Sequence, residues 1–113
     1  MSVSKQRGTA GESAVVNYLR HAGWPSAERR ALTGTQDKGD ITGVPGITIE
    51  VKNTQKMLLS EWMSELAREM LNTGDDVGFI VAKKRGTTDV GEWYAITPMR
   101  VVIDLLKEAG YGS

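Results

Sequence analysis

The amino-acid sequence predicts a mixed α/β fold in the order α-β-β-β-α-β-β-α, and three observations carry that prediction. Leu59, Trp62, Met63, Leu66, Met70 and Leu71 recur at the i, i+3, i+4, i+7 intervals of an amphipathic helix. Ile47 to Lys52 alternates apolar 47, 49 and 51 with polar 48, 50 and 52, the period of a strand with one buried face. The run VGFIVAK, 77 to 83, is continuously apolar and rich in β-formers, as a central strand covered on both faces requires. Helices spaced evenly around such strands imply a two- or three-layer sandwich of helices and a mixed sheet, the first two helices shielding the central strands.

Each element has its own signal. Thr9 followed by Glu12 has the form of a capping box, and Ala14, Val15, Tyr18, Leu19 and Ala22 then repeat at helical spacing, giving a helix from about 10 to 22 that stops at Gly23. AERRALT, 27 to 33, reads as a short strand. Residues 41 to 43 and 47 to 52 flank Pro45-Gly46 and read as a hairpin. The second helix runs from about 60 to 72, with Ser60 as N-cap and Gly74 as its terminal glycine. EWYAI, 92 to 96, is a further strand. Thr97 as N-cap, followed by Pro98 at the first helical position, starts a last helix that ends near Gly110.

Length and composition bound the class. A chain of 113 residues has the common size of one domain. No apolar run approaches the roughly 18 residues that span a bilayer, and the N-terminus lacks the apolar core of a signal peptide, so a soluble, cytoplasmic protein without a membrane partner is expected. With no cysteine, disulfides and thiolate metal sites are excluded, which suits a reducing compartment. The formal charge of zero hides an asymmetry: residues 1 to 56 hold eight Lys/Arg against five Asp/Glu, and the remainder six against nine. Any nucleic-acid contact must therefore come from a local basic patch and not from the global field.

The segment DKGDITGVPGITIEVKN, 37 to 53, concentrates the chemistry. Glu50 and Lys52 point to one side of their strand, about 7 Å apart. Two hairpin registers compete for Asp40. A two-residue Pro-Gly turn pairs Val44 with Ile47 and sends Asp40 to the apolar face. A three-residue loop, 44 to 46, pairs Gly43 with Ile47, Ile41 with Ile49 and Asp40 with Glu50, and is preferred because register follows the hydrophobic face. Carboxylates so paired lie within about 5.5 Å and repel. With a backbone carbonyl they form the oxygen-only ligand set that Mg²⁺ prefers. Glu12, beside the apolar stripe of the first helix, is placed to lean toward the same point.

These residues resemble the PD-(D/E)xK nuclease superfamily: Asp40, then Glu50-x-Lys52 on a following strand, preceded by a helix that carries Glu12. More narrowly, Arg7-Gly8-x-x-x-Glu12, Gly39-Asp40-Ile41 and Ile49-Glu50-Val51-Lys52 resemble the Holliday junction resolvases of archaeal and phage type. Gly39 departs from the pattern, which has proline there. The resemblance implies a restriction-endonuclease-like fold over one nuclease-like domain, 1-113. It also implies a homodimeric endonuclease of DNA recombination and repair that cuts branched or structured DNA, phage-encoded and acting in the host cytoplasm, without an organic cofactor.

Asp40, Glu50 and the Val51 carbonyl are then expected to hold Mg²⁺, with Mn²⁺ substituting. Glu12 binds a metal-bound water or a second metal, and Lys52 orients the attacking water and neutralises the phosphate. DNA phosphates are expected at Arg7, Arg29, Arg30, Lys38, Lys56, Lys83, Lys84 and Arg85. A phosphodiester needs a water deprotonated near neutral pH and a means of stabilising charge, which a metal provides.

Plainer readings compete. Glu-x-Lys on a strand is commonly a solvated ion pair worth under about 1 kcal/mol. Glu12 serves either as capping partner of Thr9 or in catalysis, since the two geometries exclude each other. Lys83-Lys84-Arg85 also suits a solubilising loop, and His21 at a helix C-terminus suits the helix dipole. The Trp62, Met63 and Met70 stripe reads as core or dimer interface. Of Trp93 and Tyr94, which alternate across a strand, one packs. Besides junction resolution, a nuclease of flaps, ends or nicked duplex and an inactive binding module of the same fold remain in view. So does a protein-interaction role for the acidic face Glu61, Glu65 and Glu69, which more simply faces solvent.

Overall fold

The computed structural model describes residues 3–31, 34 and 36–113. Their elements follow the expected order: α1 (Val3–Ala22), β1 (Glu28–Arg29), β2 (Ile41–Thr42), β3 (Ile47–Lys52), α2 (Leu59–Thr73), β4 (Val77–Ala82), a 3-10 turn (Val90–Glu92), β5 (Tyr94–Ile96) and α3 (Met99–Glu108). The strands form a three-stranded mixed sheet, β3-β4-β5, and a separate antiparallel pair, β1-β2. β3 and β4 run parallel, with Glu50 beside Ile80 and Lys52 beside Ala82, whereas β5 returns antiparallel to β4. VGFIVA thus takes the central place that its unbroken apolar character predicts.

The sheet buries a different helix on each face. Val15, Val16 and Leu19 of α1 pack with Ile49, Val51 and Val81, together with Ala27, Ile41, Val44 and Trp93. Trp62, Leu66 and Met70 of α2 pack on Ile80 and Ala82. Period two sorts the strands between these layers: odd positions of β3 face α1, and Thr48, Glu50 and Lys52 face α2. Leu66 is wholly buried, a burial worth about 1.5–3 kcal/mol. Close approach of α1 to β3 uses Gly11, where a Cβ would stand 3.4 Å from both the Val51 side chain and Asn53 Cβ.

Several local expectations are corrected. α1 starts at Val3, so Thr9 and Glu12 lie inside it and form no capping box. Burial of the α1 stripe against β3 extends the helix seven residues upstream of where the capping signal places it. The first strand is confined to Glu28–Arg29, and Leu32 and Thr33 of its expected span lie outside the described residues. Ser60 sits in the first turn of α2, whose N-cap is Leu58 without a side-chain bond. At the other end Gly74 closes α2 at φ 78°, its amide donating to Met70 O as expected. The Thr97 hydroxyl donates to Gly78 O at 2.6 Å instead of capping α3, whose N-cap is Pro98. Trp93 is the packed member of its pair and Tyr94 the exposed one.

The hairpin follows neither register throughout. Ile47 donates its amide to Val44 O at 3.2 Å, the tight Pro-Gly turn, but β2 makes its ladder with β1, and Asp40 then donates its amide to Ile49 O at 2.9 Å. Residues 40–44 therefore run past only 47–49, and the surplus is absorbed by an irregular path that no uniform register describes. Among the described residues, no helix is long and apolar enough to cross a membrane.

Candidate metal and catalytic centre

Asp40 sits on the free edge of β3, held there by both its backbone and its side chain. Its amide bonds Ile49 O, and its carboxylate Oδ2 accepts the Val51 amide at 2.8 Å. The chain reaches that edge only through Gly39, whose φ is +93° and whose Cβ, if present, would stand 2.9 Å from Ile49 O. Gly39 also donates its amide to Asp37 Oδ1 at 3.0 Å. Proline fixes φ near −65° and lacks that N–H, so glycine at this position is a conformational requirement of this chain.

Glu50 is 4% exposed and lies against the carboxyls of both Asp40 and Glu69. Burial, followed by those two acids, pushes its pKa far above the ordinary carboxylate range. Lys52 reaches the same side of β3 and pairs with Glu65 Oε1 at 2.7 Å. Burial opposes its charge, but Glu65, Glu50 and Asp40 together raise its pKa on balance. The expected meeting of Asp40, Glu50 and Lys52 is therefore present, although by side-chain reach and not by strand pairing.

Glu12 approaches Asp40 from α1. Burial and the Asp40 charge raise its pKa against the opposing pull of Arg29, whose Nε donates to Glu12 Oε1 at 3.2 Å. Glu12, Asp37 and Asp40 line an open cleft of about 1060 Å³, and Arg29, Arg30, Lys38 and Lys5 line it with them. Three of the expected phosphate contacts thus share a cleft with two of the expected catalytic carboxylates. Arg7, Lys56, Lys83, Lys84 and Arg85 do not line it. Arg7 lies near the carboxyl end of β3, where its carbonyl accepts Asn53 Nδ2. The Lys83 amide donates to Lys52 O, while its ammonium stands 5.9 Å from the Trp93 ring centroid. Lys56, Lys84 and Arg85 are exposed.

Two acids of α2 that the sequence places with Glu61 on a solvent-facing surface belong to this region instead. Glu69 is entirely buried and Glu65 half-buried, so only Glu61 of the acidic face stands in solvent. The overlooked signal is phase: 69 falls with Trp62, Leu66 and Met70 on the buried stripe, where an apolar residue is expected. No backbone N–H, hydroxyl or cation donates to either Glu69 oxygen, and its polar neighbours are the carboxyls of Glu50 and Asp37. Burial first, with the Asp37 and Glu65 charges adding, pushes its pKa up to about 8, although the contact with Glu50 acts the other way.

Asp37, Glu50, Glu65 and Glu69 each place a carboxylate oxygen within 4.8 Å of the others. An all-oxygen donor set of mutually repelling acids, of which Glu50 and Glu69 are buried, fits a hard divalent cation. No family model, curated protein or solved structure matches the chain.

Proposed function

We propose that the protein is a metal-dependent, structure-specific DNA endonuclease of the junction-resolving kind, hydrolysing phosphodiester bonds at Asp40, Glu50 and Lys52. The observation that carries this reading is Asp40 fixed on the edge of β3 by the Val51 amide, with its carboxyl against Glu50 and Lys52 on the same side of that strand. Asp40, Glu50 and the Val51 carbonyl are the residues assigned to hold Mg²⁺ or Mn²⁺. When bound, the metal supplies an acidified water and positive charge for the phosphoryl oxygens.

The chain's own groups act around it. The Val51 amide orients Asp40, and Lys52, tethered to Glu65, keeps a cation beside the acids where phosphate charge must be offset. Glu12, its carboxyl held above the ordinary range, can hold or release a proton at the cleft. Arg29, Arg30 and Lys38 position the DNA backbone along that cleft and carry no sequence preference.

Symmetric cutting of a four-way junction needs two sites related by a two-fold axis, so the proposed enzyme is a homodimer. Support comes from α3, which buries Val101 but leaves Met99, Val102, Ile103, Leu105 and Leu106 exposed. A stable pair buries about 800 Å² per partner. The deciding experiment offers labelled four-way junction, linear duplex, flap and single strand with Mg²⁺ or EDTA. Metal-dependent paired nicks confined to the junction are expected. Cutting of flaps or nicked duplex instead would reassign the substrate, and junction binding without cutting in any divalent metal would leave an inactive binding module.

A further inference from the structure

Glu69 stands out because it combines complete burial with two oxygens that no N–H, hydroxyl or cation satisfies, facing instead the carboxyls of Glu50 and Asp37. Leaving a charged acid in that state costs several kcal/mol, and a structural helix would gain by placing leucine or methionine there. The surroundings intensify the cost: the acids nearest to it are Glu50 from β3, Asp37 from the loop before Asp40 and Glu65 one turn earlier on α2. Lys52 answers part of this charge, but its 2.7 Å contact goes to Glu65.

The acids are also held toward one another. The Asn72 side chain donates to Asp37 O at 2.7 Å, tying the loop to α2, and the Gly39 amide holds Asp37 Oδ1. Asp37 is exposed and lines the open cleft, so the buried group has one solvated side.

We propose that Glu69, with Glu50, Asp37 and Glu65, forms a second divalent-cation site on the α2 side of Glu50, separate from the one assigned to Asp40 and the Val51 carbonyl. Glu50 is then shared between two ions, one at the edge of β3 and one beneath α2. Four carboxylate oxygens that all lie within 4.8 Å of one another are close enough to share one cation, and Ca²⁺, which takes oxygen ligands at about 2.3–2.6 Å in flexible geometry, is the less demanding occupant. The smaller Mg²⁺ binds closer, at about 2.0–2.1 Å, and keeps several waters. The proposal rests on the metal-dependent reading only through the shared Glu50, and metal binding can be measured without DNA.

The test is Mn²⁺ titration of the full chain, followed by calorimetry and by the electron paramagnetic resonance signal of free Mn²⁺, for wild type, Glu69→Gln, Glu65→Gln and Asp40→Asn. Two bound Mn²⁺ per chain are expected for wild type and one for Glu69→Gln, with Ca²⁺ competing for the ion that Glu69→Gln loses. Glu65→Gln should weaken the same ion, and Asp40→Asn should weaken the other. Glutamine keeps the volume of Glu69, and circular dichroism with a thermal melt verifies the fold. Should Glu69→Gln retain wild-type stoichiometry and affinity, the proposal is overturned and Glu69 becomes a protonated core acid. Loss of an ion in Glu69→Gln, with no DNA cleaved by wild type, would uphold this site and defeat the nuclease reading. The reverse pattern, cleavage with a single ion insensitive to Glu69→Gln, would do the opposite.

Discussion

Glu50 of β3 and Glu69 of α2 face each other across the interface between strand and helix, one 4% and the other 0% exposed, with no N–H, hydroxyl or cation donating to either Glu69 oxygen. Two buried acids cannot both ionise cheaply at that range, so the metal-free fold holds protons there that an unfolded chain would release. Stability of the metal-free protein therefore depends on pH. For Glu69, raised to about 8, the favourable contribution is complete below the ordinary carboxyl range and is lost as pH rises through about 8. Thermal melts in EDTA should show stability falling from the ordinary carboxyl range up to about pH 8, and Glu69→Gln should flatten that fall. A wild-type melt independent of pH over this interval would mean that Glu69 ionises without cost.

Asp40→Asn and Glu50→Gln should each lower cleavage at least about 10²-fold, the scale on which losing one preorganised electrostatic contact affects turnover. Junction binding should persist or tighten, because each change removes negative charge that opposes phosphate. Gel-shift and cleavage assays on one preparation separate the two quantities. Parallel loss of binding and cutting would count against Asp40 and Glu50 as metal ligands.

Gly39→Ala tests how Asp40 is delivered to its place. The backbone at φ +93° and the approach to Ile49 O leave no room for a Cβ, so a loss of about 1–3 kcal/mol is expected. Because Asp40 is the next residue, Mn²⁺ affinity should fall together with melting temperature. Gly46→Ala, also at positive φ but with open space around it, is the matched control.

Glu12→Gln now has a clear comparison, since the helix-cap role is excluded by its position inside α1. Its remaining structural contact is with Arg29, which is 47% exposed, so the stability change should stay below about 1 kcal/mol. Turnover should drop while the melt is nearly unchanged. Normal turnover would reduce Glu12 to a surface ion pair.

Lys52→Ala should lower turnover while Mn²⁺ stays bound, and Glu65→Gln should alter turnover less, because it frees the ammonium without removing it. Kinetics of both variants at saturating Mn²⁺ decide this. Equal and small effects would make the Lys52–Glu65 contact a structural pair only.

The sequence by itself determined the order of helices and strands, the central place of β4 and the shared face of Glu50 and Lys52. These follow from periods of 3.6 and 2, which local chain geometry imposes wherever one face is buried. The tertiary structure decided what touches that face. The β2 segment left the hairpin ladder for β1, and Asp40 reached Glu50 through a positive-φ glycine and the Val51 amide, a path that no alternation pattern records. α1 gained turns ahead of its apparent cap because packing on β3 outweighs a capping preference worth about 1 kcal/mol. Glu69 carries the same lesson: along the chain it belongs to an acidic run with Glu61 and Glu65, but the 100° step per residue turns it inward while Glu61 stays in water. Only the docking of α2 on β3 makes that buried acid a neighbour of Glu50.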